Sequence, residues 1–338
     1  MDMLRTAVIG VGTFGITHVE AYAWHHRCKL VAVCDKNEAR CRQIASRYGC
    51  NAYTDYSEMF SKERLDAVSI ATPDFAHRDP AVQAAEAGLH ILLEKPMATS
   101  VGEAEEIADA ARRAGVILMI DFHNRWSPPF VELKRSIERG EMGDPLYVQA
   151  RLNDTIYVPT KMLSWAGRSN VLWFLGSHMI DLARWLLSSD PERVYCVKGS
   201  GLLASRGIQT EDFFLSTIKF KSGSATVENS WVLPETHPFV CDLQFEFVGT
   251  EGSYTVNMTH SSIAEKYTKD KKENPDVVFS LDLHGRPAGF SKQSIWHFAE
   301  SVLSGKQPLV SPEDGIWVTR TIESLLRSAR TGRVLPVE

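Results

Sequence analysis

Three glycines close to the start of the sequence have a spacing that can hold phosphate groups. Gly10, Gly12 and Gly15 follow an apolar run at 6–9, so the sequence predicts a strand, a tight turn and then a helix. The first N–H groups of such a helix attract phosphate oxygens, which predicts a site for a dinucleotide pyrophosphate. The candidate residues of this turn are Gly10, Gly12, Thr13, Phe14 and Gly15.

A second apolar run, at 30–34, ends on Asp35. An acidic residue about 20 positions beyond the glycines is where a ribose 2′-hydroxyl is bound in such folds. The spacing therefore favours NAD, although Asp35 can also be read as an ordinary turn residue. Lys36 stands beside it and leaves a 2′-phosphate, and hence NADP, open.

Polar residues follow two further predicted strands, as Thr72-Pro73 and as Glu94-Lys95. Ligands of doubly wound sheets bind at the carboxyl ends of the strands. A lysine that is partly desolvated there can serve as an acid or a base. Lys95 is therefore the candidate catalytic residue, and the alternative is a solvated lysine that only ends a strand.

Composition narrows the class of protein. The chain has 338 residues, 44% of them hydrophobic, and a net charge of −5 with both signs interspersed. These values predict two globular domains, and nothing in them indicates a nucleic-acid or membrane partner. The first residues do not resemble a secretory signal, and the six cysteines lack metal-binding or redox spacing. We therefore expect reduced thiols and a cytoplasmic location.

Up to residue 121 the pattern alternates between strand and helix, which predicts a parallel doubly wound sheet. The predicted strands are 6–9, 30–34, 51–53, 67–71, 90–93 and 116–120, and the predicted helices are 16–24, 37–48, 57–61, 79–87 and 101–113. The fold class is α/β, with a Rossmann domain at 1–122.

The remainder, 123–338, is predicted to be a substrate-binding and oligomerisation domain of α/β type. One helix, 171–187, precedes alternating segments that predict a large, mostly antiparallel open sheet. These segments are 194–203, 212–221, 224–233, 242–248 and 253–258. Residues 221–224 are predicted to form a hairpin turn, and two further helices are predicted at 294–304 and 312–331.

Several motifs together resemble one family. They are His18 after the glycines, Thr72-Pro73 with His77, Glu94-Lys95-Pro96, residues 121–128, the Gly176–Asp181 run and Gly249-Thr250-Glu251-Gly252. Their order and spacing are similar to those of the glucose–fructose oxidoreductase / inositol dehydrogenase / rhizopine-catabolism (Gfo/Idh/MocA) family. The resemblance covers nearly the whole chain. It implies an enzyme that uses NAD or NADP to move a hydride to or from a CH–OH carbon of a sugar, polyol or derivative.

The resemblance also assigns roles to residues. It implies an interdomain site in which Lys95 and His178 handle the proton of the reacting oxygen. The eleven histidines show no cluster with carboxylates or cysteines at metal-ligand spacing, so we expect no catalytic metal. The cofactor-binding candidates are Gly10, Gly12, Thr13, Phe14, Gly15, Asp35, Lys36, Thr72, Pro73, His77, Glu94, Lys95 and Asn124. The substrate-binding candidates are Lys95, Arg125, Tyr157, Trp165, Phe174 and His178. Without the resemblance, His178 reads as a buried core histidine on an apolar helix face.

One position departs from the family pattern. An aspartate is usual four residues before the helix histidine, and this chain has Phe174 there. Three alternatives follow: Lys95 and His178 suffice, another residue such as Asp154 or Tyr157 replaces the aspartate, or turnover is lost and a nucleotide-binding regulator remains. Elimination or hydrolysis of a glycoside through transient oxidation by bound NAD is a further possibility.

The resemblance implies pairing of subunits through the open sheet of the second domain. Segment 212–221 is read as carrying apolar residues on both faces, with Phe213, Leu215 and Ile218 on one and Phe214, Thr217 and Phe220 on the other. A sheet that is apolar on both faces needs covering on both. The expected assembly is a homodimer or a homotetramer.

Overall fold

The computed structural model describes residues 3–258, 266–269, 272–273 and 276–338. The chain divides into two compact units, Met1–Trp126 with Val278–Ile316, and Ser127–Val277 with Trp317–Glu338. The first unit thus includes 278–316, a stretch that the sequence analysis assigned to the second domain. None of the helices in the described part of the chain has both the length and the apolar composition that a bilayer crossing requires.

The first unit contains a six-stranded parallel sheet in the order β3-β2-β1-β4-β5-β6. Its strands are β1 (Leu4–Ile9), β2 (Cys28–Cys34), β3 (Asn51–Tyr53), β4 (Ala67–Ile70), β5 (His90–Leu93) and β6 (Leu118–Ile120). Its first helices are α1 (Gly15–Trp24), α2 (Glu38–Tyr48), α3 (Tyr56–Lys62), α4 (Arg78–Glu86) and α5 (Val101–Ala114). This order is that of a Rossmann fold, so the predicted fold class is confirmed.

Local sequence explains where these helices begin and end. The side chains of Asn37, Asp55 and Ser100 accept hydrogen bonds from backbone N–H groups in the first turns of α2, α3 and α5. Gly49 and Gly115 end α2 and α5 with φ of 66° and 68°, a left-handed conformation that glycine adopts at little cost. Each helix can therefore return the chain to the sheet after a short connection.

The rest of the chain supplies the elements of the second unit and one helix of the first. In chain order they are α6 (Pro128–Glu138), β7 (Pro145–Thr155), α7 (Ser177–Leu187), β8 (Pro191–Gly199), α8 (Leu202–Ser205), β9 (Phe213–Phe220), β10 (Gly223–Leu233), β11 (Cys241–Gly249), β12 (Ser253–Asn257), β13 (Lys266–Tyr267), β14 (Lys272–Glu273), β15 (Leu281–Leu283), β16 (Arg286–Ala288), α9 (Phe290–Ser304), α10 (Pro312–Thr331) and β17 (Leu335–Pro336). Single short helical turns occur at Asp74–Ala76, His123–Trp126, Val158–Met162, Ala166–Arg168 and Leu172–Gly176.

The second unit is built on a seven-stranded sheet in the order β12-β11-β7-β10-β9-β8-β17. Its strand pairs are antiparallel except for β7 with β10, so the mostly antiparallel sheet is confirmed in a mixed form. The predicted hairpin is also present, because Phe220 pairs with Gly223 across a two-residue turn. The sequence analysis missed β7, a central strand in which the buried Val148, Ala150 and Leu152 alternate with polar residues.

Strand β9 corrects the predicted faces of this sheet. Side chains alternate along a strand, so Ile218 lies with Phe214 and Phe220, and all three are buried. Thr217 lies with Leu215 on the opposite, exposed face. The assignment of Ile218 and Thr217 in the sequence analysis was therefore wrong by one residue. The exposed face is less apolar than that assignment implied, although Leu215 is 44% exposed.

Segment 278–316 joins the first unit through helix α9, which packs against α1. The indole Nε1 of Trp296 donates a hydrogen bond to the carbonyl oxygen of Ala21 at 2.9 Å. The fully buried Lys292 places its Nζ 2.8 Å from the Ser280 hydroxyl and 3.4 Å from a carboxylate oxygen of Glu20. A buried lysine needs such partners, so this stretch is fixed to the Rossmann sheet by polar as well as apolar contacts.

Candidate active site

The three glycines of the first turn are required for different steric reasons. Gly10 has φ +83°, and a Cβ on it would lie 2.5 Å from the carbonyl oxygen of Ala71. A Cβ on Gly15 would lie only 1.8 Å from the carbonyl oxygen of Gly10. A Cβ on Gly12 would meet nothing within 4 Å. The first and third glycines therefore allow the turn to form, whereas the second leaves open space above it.

That open space lies at the amino terminus of α1. Phe14 occupies the position before the helix and its side chain supplies no hydrogen-bond acceptor to the first turn, while Thr13 is exposed. The N–H groups of Ile16 and Thr17 already donate to the carbonyl oxygens of Gly12 and Phe14, so an anion at this helix start would bind the N–H groups before them. A dinucleotide pyrophosphate fits this cradle, because Gly12 presents only backbone to it.

Asp35 lies at the end of β2, as predicted, and its carboxylate accepts several hydrogen bonds. The N–H groups of Val11 and Asn37 donate to it at 2.9 and 2.8 Å. Nη2 of Arg40 lies 2.8 Å from both carboxylate oxygens. Lys36 is exposed. The sequence analysis missed Arg40, which the first turn of α2 brings back to the strand end.

Thr72, Pro73 and His77 form the connection after β4. The Thr72 hydroxyl donates to the carbonyl oxygen of Ala76 at 3.0 Å. The ring nitrogens of the buried His77 lie 2.7 Å from the carbonyl oxygen of Pro96 and 2.9 Å from that of Thr72. Because both nitrogens face backbone carbonyls, the structure supports a bracing role for His77 and gives no support to the predicted cofactor contact.

Glu94 and Lys95 follow β5, and both are buried, with Lys95 6% exposed. The Lys95 amine lies 5.8 Å from the centre of the Phe14 ring, so the glycine turn and the candidate catalytic residue are neighbours. The Glu94 carboxylate accepts the backbone N–H of Lys95 at 3.2 Å. It also lies 3.0 Å from Nε2 of His18, which belongs to the face of α1 that packs on the sheet. The predicted Lys95 position is therefore part of a polar cluster inside the protein.

Aromatic rings cover the opposite side of this region. Phe14 stacks on His123 at 6.3 Å, and Phe279 and Phe290 lie within 5.9 Å of the His123 ring. Phe279 and Phe290 come from segment 278–316, so no local sequence signal could have placed them beside the glycine turn. These rings pack around His123, and the Phe14 ring also borders the buried Lys95 amine.

Burial and charge shift three titratable groups around Lys95. Burial would raise the pKa of Glu94, but the hydrogen bond to His18 and the charge of Lys95 lower it to about 2. Burial and the charge of Glu94 raise the pKa of Asp121 to about 7. Burial lowers the pKa of His123 to about 4, and the positive charge of Lys95 contributes in the same direction. At neutral pH, Glu94 is thus ionised and His123 is neutral.

Asn124 and Arg125 lie in the turn after β6 and are both buried. The Arg125 guanidinium pairs with the Asp314 carboxylate at 3.1 Å and also reaches the carbonyl oxygen of Leu309 at 3.5 Å. Arg125 therefore ties segment 278–316 to the first sheet. This contact favours a structural role over the predicted substrate contact.

His178 lies in the first turn of α7 in the second unit and is 6% exposed. The turn before it begins at Asn170, whose side-chain oxygen accepts the N–H groups of Leu172 and Trp173 at 3.1 Å each. A Cβ on Gly176 would lie 2.9 Å from the Asn229 side chain, so only glycine lets this segment approach β10 so closely. Asn170 thus caps the turn that leads to His178.

Phe174 is buried in an aromatic wall of the second unit. Its ring centre lies 6.0 Å from that of Trp165 and 5.7 Å from that of Trp231. The indole N–H of Trp231 donates to the carboxylate of the buried Asp154 at 3.3 Å. Tyr157 is 39% exposed, with the Lys161 amine 5.8 Å from its ring centre. Asp154, rather than Tyr157, is thus the acidic neighbour of the Phe174 wall, and the sequence analysis missed Trp231.

Comparisons with known proteins bear on both units. Residues 4–122 match a family model described as an oxidoreductase family with an NAD-binding Rossmann fold. Residues 130–255 match the model of the GFO/IDH/MocA C-terminal domain. The two matches together cover more than half of the chain.

Individual relatives agree with these matches. The chain is 30% identical to scyllo-inositol 2-dehydrogenase (NAD(+)) of Bacillus subtilis, over 92% of this chain and 90% of that protein. It is 25% identical to myo-inositol 2-dehydrogenase of Thermotoga maritima, over 92% of each. The solved structure of GenD2 from gentamicin A biosynthesis, in complex with NAD, superposes with a TM-score of 0.86 at 25% identity, covering 100% of this chain and 97% of that one.

Proposed function

Because the chain belongs to the GFO/IDH/MocA family of oxidoreductases and carries an NAD-binding Rossmann domain, we propose that it is a dehydrogenase or reductase acting on a sugar, polyol or derivative. The reacting group is a CH–OH carbon or the corresponding carbonyl. Relatives that act on inositols support this substrate class. The observation that carries the proposal is the buried Lys95 amine, 5.8 Å from the centre of the Phe14 ring in the glycine turn.

Bound NAD supplies the hydride acceptor, or NADH the donor. When a hydride leaves a carbinol carbon, the hydroxyl proton must leave as well, so a base within hydrogen-bond reach is required. We assign this proton to Lys95, and we assign to His178 the orientation or relay of the same proton. Both side chains are polar groups held at the start or end of a regular element, which limits their movement.

The direct test is a panel of cyclitols, aldoses and sugar derivatives, with NAD or NADH, followed by absorbance of the reduced nicotinamide. We expect one substrate class to be oxidised or reduced with linear dependence on enzyme concentration. Tight NADH binding without turnover of any panel member would instead support the non-catalytic regulator. Conversion of a glycoside without net change in NADH would support transient oxidation. Both alternatives derive from Phe174, which lacks the carboxylate of the family pattern.

The Asp35–Arg40 ion pair leads to a prediction about the cofactor. The Asp35 carboxylate would repel a 2′-phosphate and also holds the Arg40 guanidinium, so NAD is preferred. In Asp35→Ala, Arg40 and Lys36 are free to bind that phosphate. We expect the ratio of NADPH to NADH affinity, measured by fluorescence of the reduced dinucleotide, to rise by about tenfold or more, equivalent to about 1.4 kcal/mol.

The double variant Asp35→Ala/Arg40→Ala is the matched control. It removes the same carboxylate without releasing a guanidinium, so most of the gain in NADPH affinity should disappear. An equal gain in both variants would contradict a role for Arg40.

We also propose that a second copy of the chain covers the open face of the second sheet. Tyr195 and Val197 on β8 and Leu215 on β9 are 40%, 39% and 44% exposed, and Val197 pairs directly with Leu215. Exposed apolar neighbours of this kind are typical of subunit interfaces. Leu215→Glu is expected to shift the mass measured by light scattering to that of the monomer. Leu309→Glu, which changes an equally exposed leucine of the first unit, should leave the mass unchanged.

A cytoplasmic location remains part of the proposal. It is supported by the cysteines, all six of which are free thiols. Burial raises the pKa of Cys28 and Cys34 to about 12, so these thiols are unreactive at neutral pH.

A further inference from the structure

A buried hydrogen-bonded chain runs from helix α1 to the backbone of Lys95. The Tyr22 hydroxyl lies 2.8 Å from that of Ser69, which lies 3.0 Å from Nδ1 of His18. Nε2 of His18 lies 3.0 Å from Glu94, whose other oxygen accepts the Lys95 N–H. If each hydrogen is donated once, from Tyr22 towards Glu94, His18 carries its proton on Nε2.

Asp121 adds a second carboxylate to this chain. It is 1% exposed at the end of β6, and its Oδ2 lies 3.7 Å from Nε2 of His18. Two carboxyl groups beside one histidine in a dry environment repel each other when both are ionised. The pair therefore tends to retain one proton, and burial together with the charge of Glu94 raises the pKa of Asp121.

We propose that Glu94 and Asp121, bridged by His18, form a positioning cluster that sets the charge state of the Lys95 amine. The charge of Lys95 favours ionisation of both carboxyl groups, and a Coulomb interaction is mutual. Each ionised carboxylate therefore helps the amine to keep its proton. When Asp121 loses its proton near neutral pH, the amine becomes a weaker acid.

The groups around the cluster come from five elements. His18 and Tyr22 belong to α1, Ser69 to β4, Glu94 and Lys95 follow β5, and Asp121 and His123 follow β6, while Ser294 of α9 contributes a hydroxyl to Asp121. His123 is neutral at the relevant pH, because burial lowers its pKa to about 4.

Ligand-type atoms of His18, Glu94 and Asp121 lie within 4.8 Å of one another, a spacing that also suits a metal ion. A shared proton accounts for this cluster better than a metal ion does, for two reasons. Nε2 of His18 is already in hydrogen-bond contact with Glu94, and the Lys95 ammonium supplies a positive charge beside the site. Stoichiometric metal in the purified protein, lost in His18→Asn, would overturn the proposal.

The test follows the Lys95 amine itself and needs no substrate. In protein labelled with ¹³C at lysine Cε, the Lys95 signal is assigned by its absence from Lys95→Arg. Asp121→Asn should lower the titration midpoint of this amine by about one pH unit, because a nearby negative charge is lost. Asp121→Glu should restore most of the shift, and Asp109→Asn, an exposed carboxylate of the same unit, should leave the midpoint unchanged.

A second measurement uses the wild-type protein and so does not depend on the folding of a variant. The Lys95 signal should show an inflection near pH 7, where the carboxyl carbon of Asp121 titrates. Absence of this inflection, or equal midpoints in Asp121→Asn and Asp109→Asn, would overturn the cluster. The inference rests on the proposed function in one respect, the acid–base role of Lys95. An inactive substrate panel would remove that function, while the titration would still decide the cluster.

Discussion

Lys95→Ala is expected to lower kcat/KM by about 10²–10⁴-fold, the usual contribution of a positioned acid–base group. The side chain is buried next to the glycine turn, so no other amine can replace it from solution. Affinity for NADH, measured by fluorescence, should change little, because the pyrophosphate cradle and Asp35 are retained. The expected loss therefore appears in the rate with the identified substrate and not in dinucleotide binding.

Lys62→Ala is the control for this experiment, since it removes an exposed lysine of the same unit that pairs with Glu58, one turn earlier in α3. It should retain full activity. If Lys95→Ala kept the wild-type rate with every substrate, the assignment of the proton to Lys95 would be wrong. If both variants lost activity together with their thermal unfolding transition, the effect would be structural.

Gly15→Ala is expected to destabilise the fold, whereas Gly12→Ala is expected to weaken dinucleotide binding. At Gly15 the new Cβ would lie 1.8 Å from a backbone oxygen, so the turn must move, at a cost of about 3 kcal/mol or more. At Gly12 the new Cβ meets nothing within 4 Å, so the fold is unaffected. There the methyl group instead occupies the space of the pyrophosphate, and NADH affinity should fall by about tenfold or more.

Thermal unfolding and NADH titration of both variants decide between the two effects. Gly15→Ala should lower the unfolding temperature by several degrees, and Gly12→Ala should leave it at the wild-type value. Gly49→Ala is not a suitable control, because its φ of 66° adds strain of its own, but Gly102→Ala in α5 has open space and ordinary helical geometry. Normal NADH affinity in Gly12→Ala would place the phosphates elsewhere.

The first sheet could be predicted because its signals are local. Each buried strand is short, apolar and followed by a turn residue, and the glycines and caps mark the helix ends. The same local signals predicted the positions of Asp35 and Lys95, because each follows a short apolar run that marks the end of a strand. Strand β7 was missed although Val148, Ala150 and Leu152 alternate with polar residues, a pattern typical of a half-buried strand. Its place between β10 and β11 depends on long-range pairing.

The neighbours of these residues could not be predicted in the same way. Asp121 follows β6, His18 belongs to α1 and Glu94 follows β5, so only the folded chain brings these three side chains together. Phe279 and Phe290 reach His123 from more than 150 positions away. For Arg125 and His77 the sequence analysis predicted ligand contacts at strand ends. In the structure Arg125 pairs with Asp314, and the ring nitrogens of His77 lie beside backbone carbonyl oxygens.

The return of segment 278–316 to the first unit has a practical consequence for protein engineering. The nucleotide-binding half is encoded by two stretches separated by about 150 residues, so a chimera joined at position 122 would transplant it incompletely. Such a hybrid would combine Phe14 of one parent with the Phe279 position of the other. Exchange of cofactor halves between relatives should therefore transfer both stretches as one set.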